Sequence, residues 1–160
     1  MDFSEFFNYG GEAARQTKGN FVFLADLPAE EWEHILDATQ SYRFNAGDTV
    51  VTQGDATRTL YIVASGELEV VFIGDRGNAK PISSIDPLSV FGEQAFLDGL
   101  PRSATVRAKT ASELRMLSRE DFDTLAVRYP DLARQLLLDL GRILSLRLRE
   151  MMSLAMQGGR

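Results

Sequence analysis

Glu93 and Arg102, nine positions apart, are the residues of this sequence whose types and spacing most readily do chemistry. They bracket the run Phe91-Gly92-Glu93-Gln94-Ala95-Phe96-Leu97-Asp98-Gly99-Leu100-Pro101-Arg102-Ser103-Ala104-Thr105-Val106. A glycine ahead of Glu93 lets a ligand approach the backbone. The four residues Gln94–Leu97 can form one helical turn, whose unpaired amides favour an anion. Arg102 supplies a fixed planar fork suited to phosphate oxygens, with the Ser103 hydroxyl beside it. Glu93 is an acceptor able to hold a sugar hydroxyl. An anion site and a diol acceptor this close imply a sugar phosphate with a free hydroxyl. The plainer alternative is an ordinary ion pair between Glu93 and Arg102 at a strand edge.

The elements that must position these residues follow from periodicity. Between Tyr42 and Leu117 short apolar segments alternate with turn signals: Val50-Val51, Leu60 to Val63, Leu68 to Ile73, Ile82 to Ile85, Thr105 to Ala108 and Leu114 to Leu117. The intervening Asn45-Ala46-Gly47-Asp48, Gly54-Asp55, Ser65-Gly66, Gly74 to Asn78 and Asp86-Pro87 read as turns, so an antiparallel barrel or roll is predicted. Helical spacing precedes and follows it. Pro28, the acids Glu30, Glu31 and Glu33, and the stripe Trp32, Ile35, Leu36 predict a helix, with His34 off the stripe. Ser118 caps a short helix through Phe122 and Leu125. Pro130 separates that helix from a long one over about 131–156, with Ala133, Leu137, Leu140, Leu144, Arg147, Met151 and Leu154 along one seam. Residues 1–20 form a lead segment in which Phe3, Phe6, Phe7 and Tyr9 dock on the domain or on a partner. Residues 21–160 form a single domain.

Composition removes several classes of function. With no cysteine there is no disulfide, thiolate metal site or cysteine nucleophile. His34 is the one histidine, so a multi-histidine metal centre is excluded, and with it a cupin-type enzyme. The net charge of −6 argues against DNA binding by this chain alone. The acids are concentrated in residues 1–40 and arginines in 128–160, giving two solvated faces or two mutually attracting ends. No signal-like or membrane-spanning apolar run occurs, so a cytoplasmic protein without membrane contact is expected.

The run around Glu93 and Arg102 resembles the phosphate-binding cassette of the cyclic-nucleotide-binding domain family, which includes protein kinase A regulatory subunits, the catabolite activator protein and cyclic-nucleotide-gated channels. Phe44-Asn45-Ala46-Gly47, Gly54-Asp55, Leu60-Tyr61-Ile62-Val63 and Ser65-Gly66-Glu67-Leu68 resemble the family's early pattern, and the likeness covers about 21–157. It implies a mainly β fold with flanking helices: an antiparallel β-roll of jelly-roll type with a phosphate-binding cassette and a long C-terminal helix. By that resemblance Glu93, supported by the Gly92 backbone, accepts the ribose 2′-hydroxyl, and Arg102 pairs with the cyclic phosphate. The amides of Ala95 and Ser103 complete the cradle, with Gln94 and Ala104 alongside. Two departures stand out. Leu88 replaces the glycine usual in the turn before the cassette, and Gln94 stands where leucine or isoleucine is common.

In the family, threonine beside the arginine favours cGMP and alanine accompanies cAMP, while serine occurs in bacterial cAMP receptors. Ser103 therefore places cAMP ahead of cGMP as the ligand and suggests a bacterial source. In register with the catabolite activator protein, the base-contacting threonine and serine positions hold Arg147 and Leu148, so those polar contacts are absent. Arg147 either caps the purine, as an arginine does in channel-type members, or marks the register of a homodimer through the C-terminal helix. The resemblance implies a non-enzymatic module, needing no cofactor beyond its nucleotide ligand, that shifts its final helix to signal to a separate protein effector. The alternatives are a fragment of a nucleotide-regulated transcription factor or channel, and a non-sensing assembly roll.

Overall fold

The computed structural model describes residues 21–159, so the expectation for Phe3, Phe6, Phe7 and Tyr9 lies outside the described residues. The described chain opens into helix α1 (Ala29–Asp37), whose Trp32, Ile35 and Leu36 are buried as their spacing predicts. Eight strands follow: β1 (Gln40–Phe44), β2 (Thr49–Val51), β3 (Thr59–Ser65), β4 (Leu68–Ile73), β5 (Ala79–Ile85), β6 (Val90–Phe91), β7 (Thr105–Ala108) and β8 (Ser112–Ser118). A short helix α2 (Glu93–Asp98) sits between β6 and β7, and α3 (Arg119–Arg128) and α4 (Pro130–Gln157) close the chain. The strands form two antiparallel sheets, ordered β1-β8-β3-β6 and β2-β7-β4-β5. No helix among the described residues is long and apolar enough to cross a membrane.

The period-two pattern of β3 divides the core in two. Leu60 and Ile62 face the helices, in a cluster with Trp32, Ile35, Phe96, Phe122, Leu136 and Leu140. Tyr61 and Val63 face the opposite sheet, among Val51, Leu68, Ile85, Phe91, Val106 and Leu114. A strand buried on both faces reads as the unbroken run Leu-Tyr-Ile-Val. Each such fully buried side chain stabilises the fold by about 1.5–3 kcal/mol relative to exposure. In β4 a bulge between Val70 and Val71 interrupts the alternation, so Val71 is buried and Phe72 turns outward.

Strands β1 and β6 escape the sequence reading. The first exposes nearly all of its residues, and the second is only two residues long, so neither carries much of a pattern. The short and the long helix are separate as expected, with Tyr129 alone between them and Pro130 inside the second. It is the first residue of α4, where its fixed φ and missing N–H cost nothing. The buried stripe of α4 also differs from the predicted seam. Leu132, Ala133, Leu136, Leu140 and Ile143 are buried, whereas Leu137 is 41% exposed. Both stripes are apolar and a few tens of degrees apart, and the shape of the roll selects between them. Arg147 lies one turn beyond Ile143 on the buried side.

Candidate functional site

Gly92 has φ 78° and opens α2 from a left-handed turn. Six residues are too few for a helix to hold itself. Its apolar anchor, Phe96, is fully buried edge-on to Phe122. Gly99 ends it at φ 71°, its N–H donating to Ala95 O at 2.9 Å. Two arginines also take up its last carbonyls. Arg58 donates to Ala95, Phe96 and Leu97 O at 3.3, 3.1 and 3.2 Å, and Arg119 donates to Phe96 O at 3.3 Å.

Arg102 lies beneath this turn, 5% exposed. Its guanidinium donates to Thr57 Oγ1 (3.2 Å), Gly92 O (3.0 Å) and Thr59 O (2.8 Å), which leaves two of its five N–H groups for other acceptors. A Cβ at Gly92 would stand 2.6 Å from Arg102 Nη1, so only glycine admits the guanidinium here. The Arg102 backbone is clamped as well, its N–H donating to Asp55 O and its carbonyl accepting from Gly54 N, each at 2.8 Å. The guanidinium carbon is 5.7 Å from the centre of the Tyr61 ring, which stacks on Phe91 at 4.7 Å. Burial lowers the Arg102 pKa from its ordinary value, opposed by the nearby Tyr61, Glu93 and Asp55. All three side-chain acceptors of Arg102 are neutral, and it forms no ion pair with a carboxylate among the described residues.

Glu93 is also buried, and its carboxylate is held across the cavity. Arg147 Nη1 donates to Glu93 Oε1 at 2.6 Å, and Nη2 donates to Val90 O at 2.5 Å. The C-terminal helix is thereby tied to the cassette by one side chain. Ser103 Oγ donates to Gln94 Oε1 at 2.7 Å, and both residues are exposed at the rim. Gly92 to Ala95, Arg102 to Ala104 and Arg147 all line one cavity of about 1330 Å3, open on one side, with Met151 and Leu154 of α4 as apolar lining. Every site residue expected from the sequence is thus brought together. A strand-edge pair of Glu93 with Arg102 does not form, because each has another partner.

Leu88 lies in the left-handed region that ordinarily favours glycine, φ 67°, with its side chain buried. Its N–H donates to Val63 O at 2.8 Å and its carbonyl accepts from Phe23 N at 2.9 Å, which holds the turn. Sequence reasoning missed Thr57, Arg58, Thr59, Tyr61 and Arg119. Thr57, Arg58 and Thr59 are consecutive, and the segment serves two purposes by alternation: the threonines take Arg102, and Arg58 holds α2. No local signal marks an arginine whose partners are carbonyls some 40 positions away.

The family model for the cyclic nucleotide-binding domain matches residues 42–129, more than half of the chain. The chain belongs to this family. The cyclic nucleotide-binding family is a regulatory one, and the similarity of this member extends to a cAMP-dependent protein kinase regulatory subunit of Yarrowia lipolytica. That relative is 38% identical over 102 residues, which are 64% of this chain and 26% of the relative. The chain spans about a quarter of the length of the curated relatives it matches. Among solved structures, the catabolite activator protein of Thermus thermophilus is 32% identical, with a TM-score of 0.71 over 83% of this chain and 61% of that one. A cyclic nucleotide-binding domain from Methylobacillus flagellatus, at 23% identity, shares the fold with a TM-score of 0.78 over 92% of this chain and 86% of that one. Fungal and bacterial relatives both occur, so the comparisons do not bear on a bacterial source.

Proposed function

We propose that the chain is a non-enzymatic regulatory module that binds cAMP in preference to cGMP and passes occupancy through α4 to a separate cytoplasmic protein effector. The observation that carries this reading is Arg102: a buried guanidinium at a cavity large enough for a nucleotide, hydrogen-bonded to neutral acceptors and, among the described residues, to no carboxylate. An unpaired buried cation is costly, and an anion brought to it relieves that cost. A cyclic phosphate on the two spare N–H groups supplies the charge, with the Ala95 and Ser103 amides alongside. The ribose then reaches Glu93, whose Oε1 is already bonded to Arg147. A hydroxyl donating to this carboxylate competes with Arg147 or strengthens its hold. Ligand and helix thereby act on the same oxygen atoms, and any difference in affinity between the two helix positions shifts their populations.

Relatives named as regulatory subunits of a cAMP-dependent kinase support a protein effector. The likeness to a catabolite activator protein favours a second reading, the nucleotide-sensing part of a transcriptional regulator. A homodimer through α4 is part of either reading, since Leu138, Leu148, Met152 and Met156 are exposed on it. Calorimetric titration with cAMP, cGMP and cyclic di-GMP tests the ligand. Arg102→Ala is expected to weaken cAMP binding at least about tenfold, since removing one side of a desolvated charged contact costs about 2–5 kcal/mol. Unchanged affinity in that variant overturns the reading.

A further inference from the structure

The short helix α2 has a left-handed glycine at each end, and an arginine lies against each of them. Gly92 admits Arg102. At the far end Gly99 has φ 71°, and a Cβ there would stand 3.2 Å from Arg58 Cζ. Arg58 Nε donates to Ala95 O at 3.3 Å, and Nη2 donates to Phe96 O and Leu97 O at 3.1 and 3.2 Å. The cavity is lined by Gly92 to Ala95 and by Arg102 but not by Arg58. Whatever Arg58 does for a bound molecule, it does through α2.

Under the reading above, the cyclic phosphate lies between two walls: the Arg102 fork with the Ser103 N–H, and the Ala95 N–H of α2. The first wall is fixed by the bonds from Arg102 to Thr57 Oγ1, Thr59 O and Asp55 O. The second moves with α2, a rod of about 9 Å. Buried Phe96 pins its middle, and Arg102 Nη1 holds its Gly92 end. Arg58 takes three consecutive carbonyls at the other end, where Arg119 takes one. Because Arg58 stands between Thr57 and Thr59, both walls are referred to one tripeptide. We propose that Arg58 is a positioning residue for the phosphate: by fixing the tilt of α2 it sets the Ala95 N–H against the Arg102 fork. The inference rests on the cyclic-nucleotide reading of this cavity. Arg58 is exposed and outside both core clusters, so its replacement does not threaten the fold.

The test uses cAMP and the two diastereomers of adenosine cyclic phosphorothioate, in which sulfur, the weaker acceptor, replaces one or the other exocyclic oxygen. One diastereomer turns its sulfur toward Ala95 and the other toward Arg102. Calorimetry on the whole chain should show Arg58→Met binding cAMP about threefold to tenfold more weakly, the worth of one net hydrogen bond. The diastereomer already weakened at Ala95 should lose less than its partner, so the ratio of the two affinities should change by about threefold or more. Arg58→Lys, which keeps the charge but not the fork, should fall between wild type and Arg58→Met. Wild-type cAMP affinity in folded Arg58→Met overturns the proposal. So does an equal loss for both diastereomers, which would mean a structural or long-range charge effect. Should Arg58→Met not fold, Arg58→Lys is held to the same two criteria. Failure of folded wild-type protein to bind cAMP overturns the underlying reading of the cavity instead, and the proposal with it.

Discussion

Replacing Gly92 by alanine separates two costs that a glycine in this position avoids. The first is conformational. Gly92 has φ 78°, and an L-residue held in the left-handed region costs about 1–2 kcal/mol. The second is steric. The new Cβ would stand 2.6 Å from Arg102 Nη1 and 2.8 Å from Thr59 O. Thr59 is fixed in the ladder between β3 and β8, so the guanidinium must give way. Forcing a methyl group into packed surroundings costs a further 1–3 kcal/mol or about that. Gly47→Ala is the control, because Gly47 has φ 91° and nothing within 4 Å of its added Cβ. It bears the conformational cost alone. Urea unfolding should therefore show Gly92→Ala to be the less stable by about 1–3 kcal/mol, which is roughly 2–4 °C in melting temperature per kcal/mol. Displacing Arg102 from Gly92 O and Thr59 O also moves the fork from the cavity, so cAMP affinity should fall at least about tenfold. Gly47→Ala should bind as the wild type does. Equal stability losses in the two variants, or wild-type affinity in Gly92→Ala, refute the reasoning.

Arg147→Ala leaves Glu93 buried without its partner and should cost about 1–3 kcal/mol of stability; hydrogen exchange should show α4 beyond residue 147 losing its protection and its response to cAMP, and an unchanged response would exclude the tie. At Leu88, φ 67° opposes the usual order of side chains. Leu88→Gly should be more stable than Leu88→Ala by about 1 kcal/mol in denaturant unfolding, and the opposite order would mean that the turn is unstrained. Burial raises the Tyr61 pKa, against the nearby Arg102, so the folded state holds the phenolic proton more firmly than the unfolded chain. Stability from this residue is fully present below about pH 10 and is lost as pH rises toward the folded value. Tyr61→Phe should flatten that alkaline decline in a series of denaturation curves, and an unchanged slope would rule Tyr61 out as its source.

Much of the site was legible in the sequence because its parts are local. Glycine at a left-handed turn, Glu93 beside it, and Arg102 and Ser103 nine and ten positions later lie within a single excursion between β6 and β7. The strands were legible where alternation or an unbroken apolar run marks burial, as in β3, and illegible where a strand is exposed or only two residues long, as in β1 and β6. Leu88 was visible as a departure from glycine, yet its positive φ is held by a bond to the Val63 carbonyl and one from the Phe23 N–H, both distant in the chain.

What the sequence could not determine is which of two apolar stripes on α4 faces inward, and therefore where Arg147 points. A helix carries its side chains at fixed angles, but its rotation about its own axis is chosen by the surface it packs on. Here the roll takes Leu136, Leu140 and Ile143, and Arg147 follows on the same side to reach Glu93, 54 residues earlier. The pairing of Arg58 with the end of α2 has the same origin. Residue types and short spacings are written in the chain, whereas contacts between distant segments exist only once the two sheets and the helices have closed on one another.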